Sequence, residues 1–585
     1  MPRRLQTKSA EPPGPVHAVA TVGNVTIVAF LALLLTHDRL FHPLPAPPPL
    51  EADVPRAERV VLIVIDGLRA DVATDDALMP TLARLRQSGA GGEARVESLI
   101  PSTIAGVIAL ATGQTSSPAD VFQDLRALPA ANGGLLAAVK ASGGRTYVAG
   151  PPVWADLYGR WIDGGYSLPK LVESNDGPLV EAVAAALKSD EYRLTVAHLG
   201  APDDVAHSAG TRSSAYAEAA RAADKAIARL FAHTRQNDLV IVTADHGNTA
   251  AGGHAGPEED VLRVPLVLVG PGATAAPPRR QAEIAPRAAA ALDVSLPAVS
   301  QPPVRTWRLL PPAATLLGVA CAALACGSVA RGYHGRLQHT LLNGSVWVAL
   351  VGVVLGQRGA AVALLMAALL TAAGASARLR LAPSVLIATA VGVLLALLRL
   401  ADGTGPTWAT AAARNAALLG ATVLSILCGR GIAQWLVRRD AGGAVAAGAV
   451  AALAAVACGR VAGQTVSLST LDVRAAYSLS AHPATLPLAI LAVIALQAAP
   501  TIGIVAGVAP HLRRKPPDAV AQFAAGAGAA FTGQLLVGSL ALWWTDQARP
   551  SALALGLMLR VAAESFYLFL GLAAAAWAAP RPRAP

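Results

Sequence analysis

Leu239-Val-Ile-Val-Thr243-Ala244-Asp245-His246-Gly247-Asn248 is a hydrophobic, β-branched run that discharges into a carboxylate and an imidazole. Its length and its Val/Ile/Thr content predict a buried strand. His254 follows nine residues after Asp245. Three potential ligands launched from one hydrophobic strand point to a divalent cation, because neutral imidazole plus carboxylate is the usual donor set for zinc and similar ions. Hydrogen-bonded loop residues are the alternative.

The same grammar recurs on either side. Val60–Ile65 ends at Asp66, in Val64-Ile-Asp66-Gly67-Leu-Arg-Ala-Asp71, and alone Asp66 reads equally as a turn cap. Leu194–His198 leads into Gly200-Ala-Pro-Asp203-Asp204-Val-Ala-His207, which supplies another carboxylate and another imidazole. Asp204 reads as a helix cap or as the ligand in place of Asp203, and His198, inside the strand, reads as a core histidine. Thr146–Val148 and Pro265–Val269 complete the expected strands, and Met79–Ser88, Gly134–Ser142 and Ser213–His233 carry helical spacing. Strands alternating with helices over 59–272 predict an α/β domain with a mostly parallel sheet, whose ligand site lies beyond the carboxyl ends of the strands. Glu97-Ser-Leu-Ile-Pro101-Ser102-Thr103-Ile-Ala-Gly106 places hydroxyls where a strand hands over to a helix. Free N–H groups at a helix start suit phosphate, and a hydroxyl becomes a nucleophile only beside a metal or base. An ordinary N-cap is the other reading.

The rest of the chain is of another kind. Of 585 residues, 54% are hydrophobic and 14% charged, with a mean hydropathy of +0.48, against about 25% charged in soluble domains. A wholly soluble enzyme, a disordered chain and a nucleic-acid-binding module are thereby excluded. The cysteines, Cys321, Cys326, Cys428 and Cys458, all lie in apolar segments, so the α/β domain has no disulfide. The expected organisation is a cytoplasmic amino terminus (1–18), a transmembrane anchor at 19–37 (a cleaved signal peptide being the alternative), a Pro-rich linker (38–58), the catalytic domain (59–272), a second linker (273–308), a multi-span α-helical membrane domain over 309–579 and a tail (580–585). Nine spans are expected, at 309–330, 341–356, 359–375, 383–399, 410–428, 442–459, 485–509, 519–544 and 551–578. With the amino terminus inside, cytoplasmic segments hold 15 Lys and Arg and the opposite short connections 6, among them Arg399, so the α/β domain is expected outside the cytoplasm and the net charge of +10 is largely topological. In the late spans, Gln497, Gln534, Arg560 and Glu564 are polar; the last two, four apart, form either a lipid-headgroup site or a structural ion pair.

Taken together, Val64-Ile-Asp66-Gly-Leu-Arg-Ala-Asp71, Pro101-Ser-Thr103, Asp203-x-x-x-His207, Asp245-His246-Gly247 and Gly253-His254 resemble the alkaline phosphatase superfamily, in particular the glycosylphosphatidylinositol (GPI) ethanolamine phosphate transferases and the type I phosphodiesterase/nucleotide pyrophosphatases. The motif resemblance covers about 59–272, and the order of anchor, catalytic domain and multi-span half matches in architecture. It implies two divalent ions, zinc by ligand type, one held by Asp66, Thr103, Asp245 and His246 and the other by Asp203, His207 and His254. It also implies Thr103 as nucleophile, ten residues before Gly113, with Ser102 the rival. The chain departs from the family at Ile104-Ala105-Gly106 and at Ala206, which bears on the acceptor. The sulfatase signature is absent, since the domain has no cysteine.

The function expected is a membrane-bound phosphotransferase moving a phosphoethanolamine-like group from a phospholipid to a glycan or lipid acceptor through a phospho-threonine. The alternatives are a membrane-tethered phosphodiesterase or phosphatase, and a lipid transporter carrying a silent domain. No nucleic-acid partner is expected. The Ala-, Arg- and Gly-rich composition points to a bacterial cytoplasmic membrane.

Overall fold

The computed structural model describes residues 54–297, with gaps at 117–129, 131, 169–174, 251, 255 and 274–276, three helices at 382–401, 411–437 and 441–461, residues 499–511 and scattered positions over 523–568. The first part is built around a seven-stranded sheet: β1 (Arg59–Ile65), β2 (Ala90–Arg95), β3 (Thr146–Gly150), β4 (Gly164–Ser167), β5 (Leu194–Leu199), β6 (Asp238–Thr243) and β7 (Arg263–Val269), in the order β2-β7-β6-β1-β5-β3-β4. β1 lies at its centre, parallel to both β5 and β6. Every residue of Arg-Val-Val-Leu-Ile-Val-Ile is buried, and each such aliphatic side chain contributes roughly 1.5–3 kcal/mol.

Register decides where the site falls. Ile65 pairs with Leu199 and Val64 with Thr243, so Asp66, Gly200 and Ala244 leave the sheet at one edge. At the opposite edge Arg59 Nε and Nη2 donate to Asp238 Oδ1 and Oδ2 at 2.9 and 2.6 Å, both residues being buried. That bidentate pair ties the starts of β1 and β6 and opposes slippage of either strand.

The α/β part of the expected fold class holds: the sheet is mostly parallel but mixed, because β7 runs antiparallel to β6 and to β2. β2 and β4, absent from the sequence reading, are edge strands. Ala-Gly-Gly-Glu-Ala-Arg and Gly-Gly-Tyr-Ser carry little apolar pattern because only half of each is covered. The domain also runs beyond 272. Ile284, Ala288 and Ala291, on the helix Ile284–Ala291, lie in the same hydrophobic core as β1, where a linker from 273 was expected.

In the carboxyl-terminal part, helices Ala382–Ala401, Ala411–Val437 and Ala441–Val461 fall on the spans expected at 383–399, 410–428 and 442–459. The second continues past 428, so Arg430 lies within a helix and not in a connection. Arg399 is likewise no connection residue, being 6% exposed. Gly392, Gly448 and Gly526 each leave no room for a Cβ against the backbone of a neighbouring helix, the close approach that small residues permit. Cys428 and Cys458 are free thiols packed with Ala421. Among the described residues one helix, at Gly443–Arg460, is long and apolar enough to cross a membrane. The expected anchor, the spans at 309–330, 341–356 and 359–375, and Cys321 and Cys326 lie outside the described residues.

Candidate metal centre

All seven expected residues arrive at the carboxyl edge of the sheet. Asp66 follows β1 and is 2% exposed, while Asp245 and His246 follow β6 and are fully buried. Asp203 and His207 lie one turn apart on the helix Ala201–Ala209 after β5, and Asp203 is fully buried. The loop feeding that helix is fixed by Asp176, whose carboxylate accepts from Gly200 and Ala201 N–H at 2.9 and 3.1 Å. Burial holds the Asp176 carboxyl above its ordinary pKa, against the opposing pull of those two donors. Thr103 is the first residue of the helix Thr103–Thr112, with Ser102 as its N-cap accepting from Ala105 N–H. Gly106, one turn on, is pressed against the strand-end loop: a Cβ there would lie 2.5 Å from Asp245 Cβ. The close approach brings Thr103 Oγ1 to 3.5 Å from His246 Nε2.

Hydrogen bonds orient the donors. Asp245 Oδ1 accepts from Gly67 N–H at 3.1 Å and His246 N–H at 2.9 Å. Its Oδ2 is buried without a hydrogen-bond donor, 3.4 Å from His246 Nε2. His246 Nδ1 faces Gly247 O at 3.1 Å and His254 Nδ1 faces Pro101 O at 3.0 Å. A carbonyl only accepts, so both rings carry their proton on Nδ1 and present the Nε2 lone pair. The two rings lie 3.9 Å apart, and His207 meets His254 edge-on at 5.1 Å.

Two ligand groups result, Asp66 with Asp245 and His246, and Asp203 with His246 and His254. The second differs from the resemblance, since His246 takes the place expected of His207. His207 stands beside that group, its Nε2 3.3 Å from Asp203 Oδ2. Asp204 belongs to neither. Three buried carboxylates gathered around lone-pair imidazoles, one of them with an orphaned oxygen, form an unfavourable charge cluster that divalent cations relieve. The donor set fits such ions.

Residues that the sequence reading passed over hold these ligands. Asn248 Nδ2 donates to Asp203 Oδ1 at 3.0 Å and to Gly67 O at 3.1 Å; its place three residues after Asp245 was the available signal. Gly67, at φ +68, is required there, since a Cβ would come within 2.7 Å of Asp203 Oδ1. Tyr216 OH donates to Gly67 O at 2.9 Å, and burial raises its pKa. Gln281, from the segment expected to be linker, donates to Ala244 O and Asp245 O at 2.9 and 2.7 Å.

His198 is more than a core histidine. Trp154 Nε1 lies 2.9 Å from its Nδ1, and an indole N–H only donates, so His198 is neutral with its proton on Nε2. That N–H faces Asp66 Oδ2 at 3.5 Å and Asp245 Oδ2 at 3.8 Å. Outer-shell partners of this kind set ligand orientation and tune affinity by about 10- to 100-fold. Trp154→Phe, which keeps an aromatic ring and deletes the donor, is therefore expected to weaken metal binding by about tenfold, measured by chelator competition. Unchanged affinity would return His198 to the role of core filler.

Residues 165–294 match the model of the Metalloenzyme superfamily, a segment that contains Asp203, His207, Asp245, His246 and His254. Among curated proteins, the chain is 23% identical over 260 residues to the human "GPI ethanolamine phosphate transferase 3, catalytic subunit", covering 40% of this chain and 23% of that protein. It is 22% identical over 276 residues to the human transferase 2 catalytic subunit, covering 44% of this chain and 26% of that protein. The matches thus span about a quarter of those relatives. Among solved structures, a Vibrio parahaemolyticus protein of the alkaline phosphatase superfamily aligns with TM-score 0.32 and 15% identity, covering 45% of this chain and 74% of its own. The C-terminal periplasmic domain of EcEptC from Escherichia coli aligns with TM-score 0.30 and 14% identity, covering 43% and 87%. Over residues 165–294 the α/β domain is thus similar to the Metalloenzyme superfamily, and the ligand groups at its strand ends are donor sets of the kind that hold divalent ions.

Proposed function

We propose that the chain transfers a phosphoethanolamine-like group from a phospholipid to a glycan or lipid hydroxyl, with Thr103 as nucleophile. The observation that carries this reading is the Thr103 hydroxyl, held at a helix start 3.5 Å from His246 Nε2. The curated relatives named as GPI ethanolamine phosphate transferases support the donor class. Two divalent ions, zinc by ligand type, would be held by Asp66, Asp245 and His246 and by Asp203, His246 and His254, with His207 completing the second. Bound there, such a pair supplies Lewis acidity and charge neutralisation for an in-line displacement.

The chain's own residues do the rest. Thr103 Oγ1 loses its proton as it attacks phosphorus, the bond to the donor's diacylglycerol oxygen breaks, that oxygen takes up a proton as diacylglycerol departs, and the headgroup phosphate rests on Thr103. An acceptor hydroxyl, losing its proton, then attacks the same phosphorus while Thr103 Oγ1 leaves and is reprotonated, so the number of phosphodiester bonds is unchanged. The start of the Thr103–Thr112 helix, with its positive dipole end, suits a phosphate carried on Thr103. The helical half is proposed to cross the bacterial cytoplasmic membrane, with the α/β domain outside the cytoplasm, so that donor and acceptor meet at the membrane surface and the acceptor outcompetes water.

Purified full-length protein incubated with headgroup-labelled phosphatidylethanolamine and a lipid-linked glycan is expected to move label onto the glycan, read by mass spectrometry. Label released only as free phosphoethanolamine, with glycan present in excess, would replace transfer by hydrolysis.

A further inference from the structure

Of the sequence Asp66-Gly67-Leu-Arg69-Ala-Asp71 only Asp66 is a ligand, yet its other polar residues tie into the metal centre. Arg69 Nε and Nη2 donate to the two oxygens of Asp71 at 2.8 and 2.7 Å. Its Nη1 donates to Asp260 Oδ2 at 2.8 Å and to the main-chain carbonyl of Asn248 at 3.2 Å. Asn248 is fully buried. Its side chain meets Gly67 O at 3.1 Å and Asp203 Oδ1 at 3.0 Å. A carbonyl only accepts, so the amide nitrogen, not its oxygen, occupies that place. Asn248 Oδ1 is left buried with no hydrogen-bond partner among the described residues. An unsatisfied buried carbonyl costs stability, and a leucine of similar volume would fill the space without it. Packing therefore does not account for the amide; its two N–H bonds do.

The three acids of the centre share one arrangement. Asp203 Oδ1 accepts from Asn248, while its Oδ2 lies 3.3 Å from His207 Nε2. Asp245 Oδ1 accepts from Gly67 and His246 N–H, while its Oδ2 lies 3.4 Å from His246 Nε2. Asp66 has Oδ2 3.5 Å from His198 Nε2 and Oδ1 3.5 Å from His246 Nε2. In each, one oxygen faces a nitrogen that carries a proton and the other turns to a ligand imidazole. The Gly67 peptide joins two of them, since its N–H holds Asp245 and its carbonyl accepts from the amide that holds Asp203. We propose that Asn248 is a positioning residue for both metal positions, aiming Asp203 Oδ2 directly and Asp245 Oδ2 through the Gly67 peptide. Arg69 fixes the main chain from which the amide reaches. The inference rests on the two-ion reading of the centre and not on transfer, because a hydrolase needs the same ligands held the same way.

The test titrates metal-stripped full-length protein with zinc by calorimetry and with cobalt(II) by visible absorption, which reports the ligand field at each position. Asn248→Leu keeps the volume and removes both N–H bonds. It is expected to weaken zinc binding by about 10- to 100-fold at both positions and to alter the cobalt spectrum. Arg69→Gln, which leaves the amide in place and loosens its main chain, is expected to cause a smaller loss at the same two positions. Tyr216→Phe removes the other donor to Gly67 O and is expected to weaken the Asp245 position alone. Asp66→Asn, confined to one group, tells the two positions apart. Native zinc affinities and a native cobalt spectrum in Asn248→Leu overturn the proposal while wild type, binding two ions, keeps the two-ion reading. Loss at the Asp203 position with the Asp245 position native overturns the double role. Should Asn248→Leu fail to fold, Arg69→Gln carries the test, and native affinity at both its positions overturns the proposal. Fewer than two zinc ions bound by wild type would overturn both this proposal and the two-ion reading.

Discussion

Thr103→Ala is expected to lower turnover of a soluble phosphodiester by on the order of a thousandfold or more, as deletion of a covalent nucleophile does, while metal content stays near that of the wild type. Asp66, Asp245 and His246 still form their ligand group without it. The neighbouring hydroxyl has another occupation: Ser102 Oγ accepts from Ala105 N–H at 3.4 Å and caps the helix. Ser102→Ala is accordingly expected to cost about 1 kcal/mol of stability and to leave turnover within a few-fold. Thr103→Ser, which restores an Oγ at the same place, is expected to recover part of the rate. Rates and metal stoichiometry measured side by side decide between the two hydroxyls. A live Thr103→Ala protein beside a dead Ser102→Ala one would shift the nucleophile by one position.

The strands that launch the ligands were legible because they are central. β1, β5 and β6 are covered on both faces, and that environment writes an unbroken apolar run ending at a polar residue. Edge position hid β2 and β4, which need no such run. The ligands were legible for the same reason as the strands, since a parallel sheet delivers the carboxyl ends of neighbouring strands to one edge. Which imidazole serves which group was not, because that depends on the path of the loop between His246 and His254. Gly252 and Gly253 take φ of +83 and +88 there, and the turn they allow lays His254 against His246. The contact between Trp154 and His198, 44 residues apart, and the return of Gln281 beneath Asp245 leave no local trace in sequence. Arg399 was misplaced by counting charge along the chain. It sits near a helix end in sequence and faces Glu564 in space, and only tertiary structure separates those two situations.

His246→Ala is expected to reduce metal binding at both positions, not one. Asp66 with Asp245, and Asp203 with His254, share only that ring, and its Nε2 lies within reach of Asp66 Oδ1 at 3.5 Å, Asp245 Oδ2 at 3.4 Å and Thr103 Oγ1 at 3.5 Å. Removing a direct ligand should cost more than the roughly 10- to 100-fold lost with an outer-shell partner, so affinities at both sites should fall by about a hundredfold or more. His207→Ala, which belongs to neither compact group, should weaken the Asp203 position alone. Asp66→Asn, confined to the other group, should weaken only that one. The carboxylates left behind in His246→Ala would also lack their cation, and repulsion among three buried acids should lower the melting temperature. Isothermal titration of the metal-stripped full-length protein with zinc, compared across the three variants, separates these outcomes. If His246→Ala lost one metal and kept the other at native affinity, the ring would serve a single ion, and His207 would take the place at the second that the family resemblance implies for it.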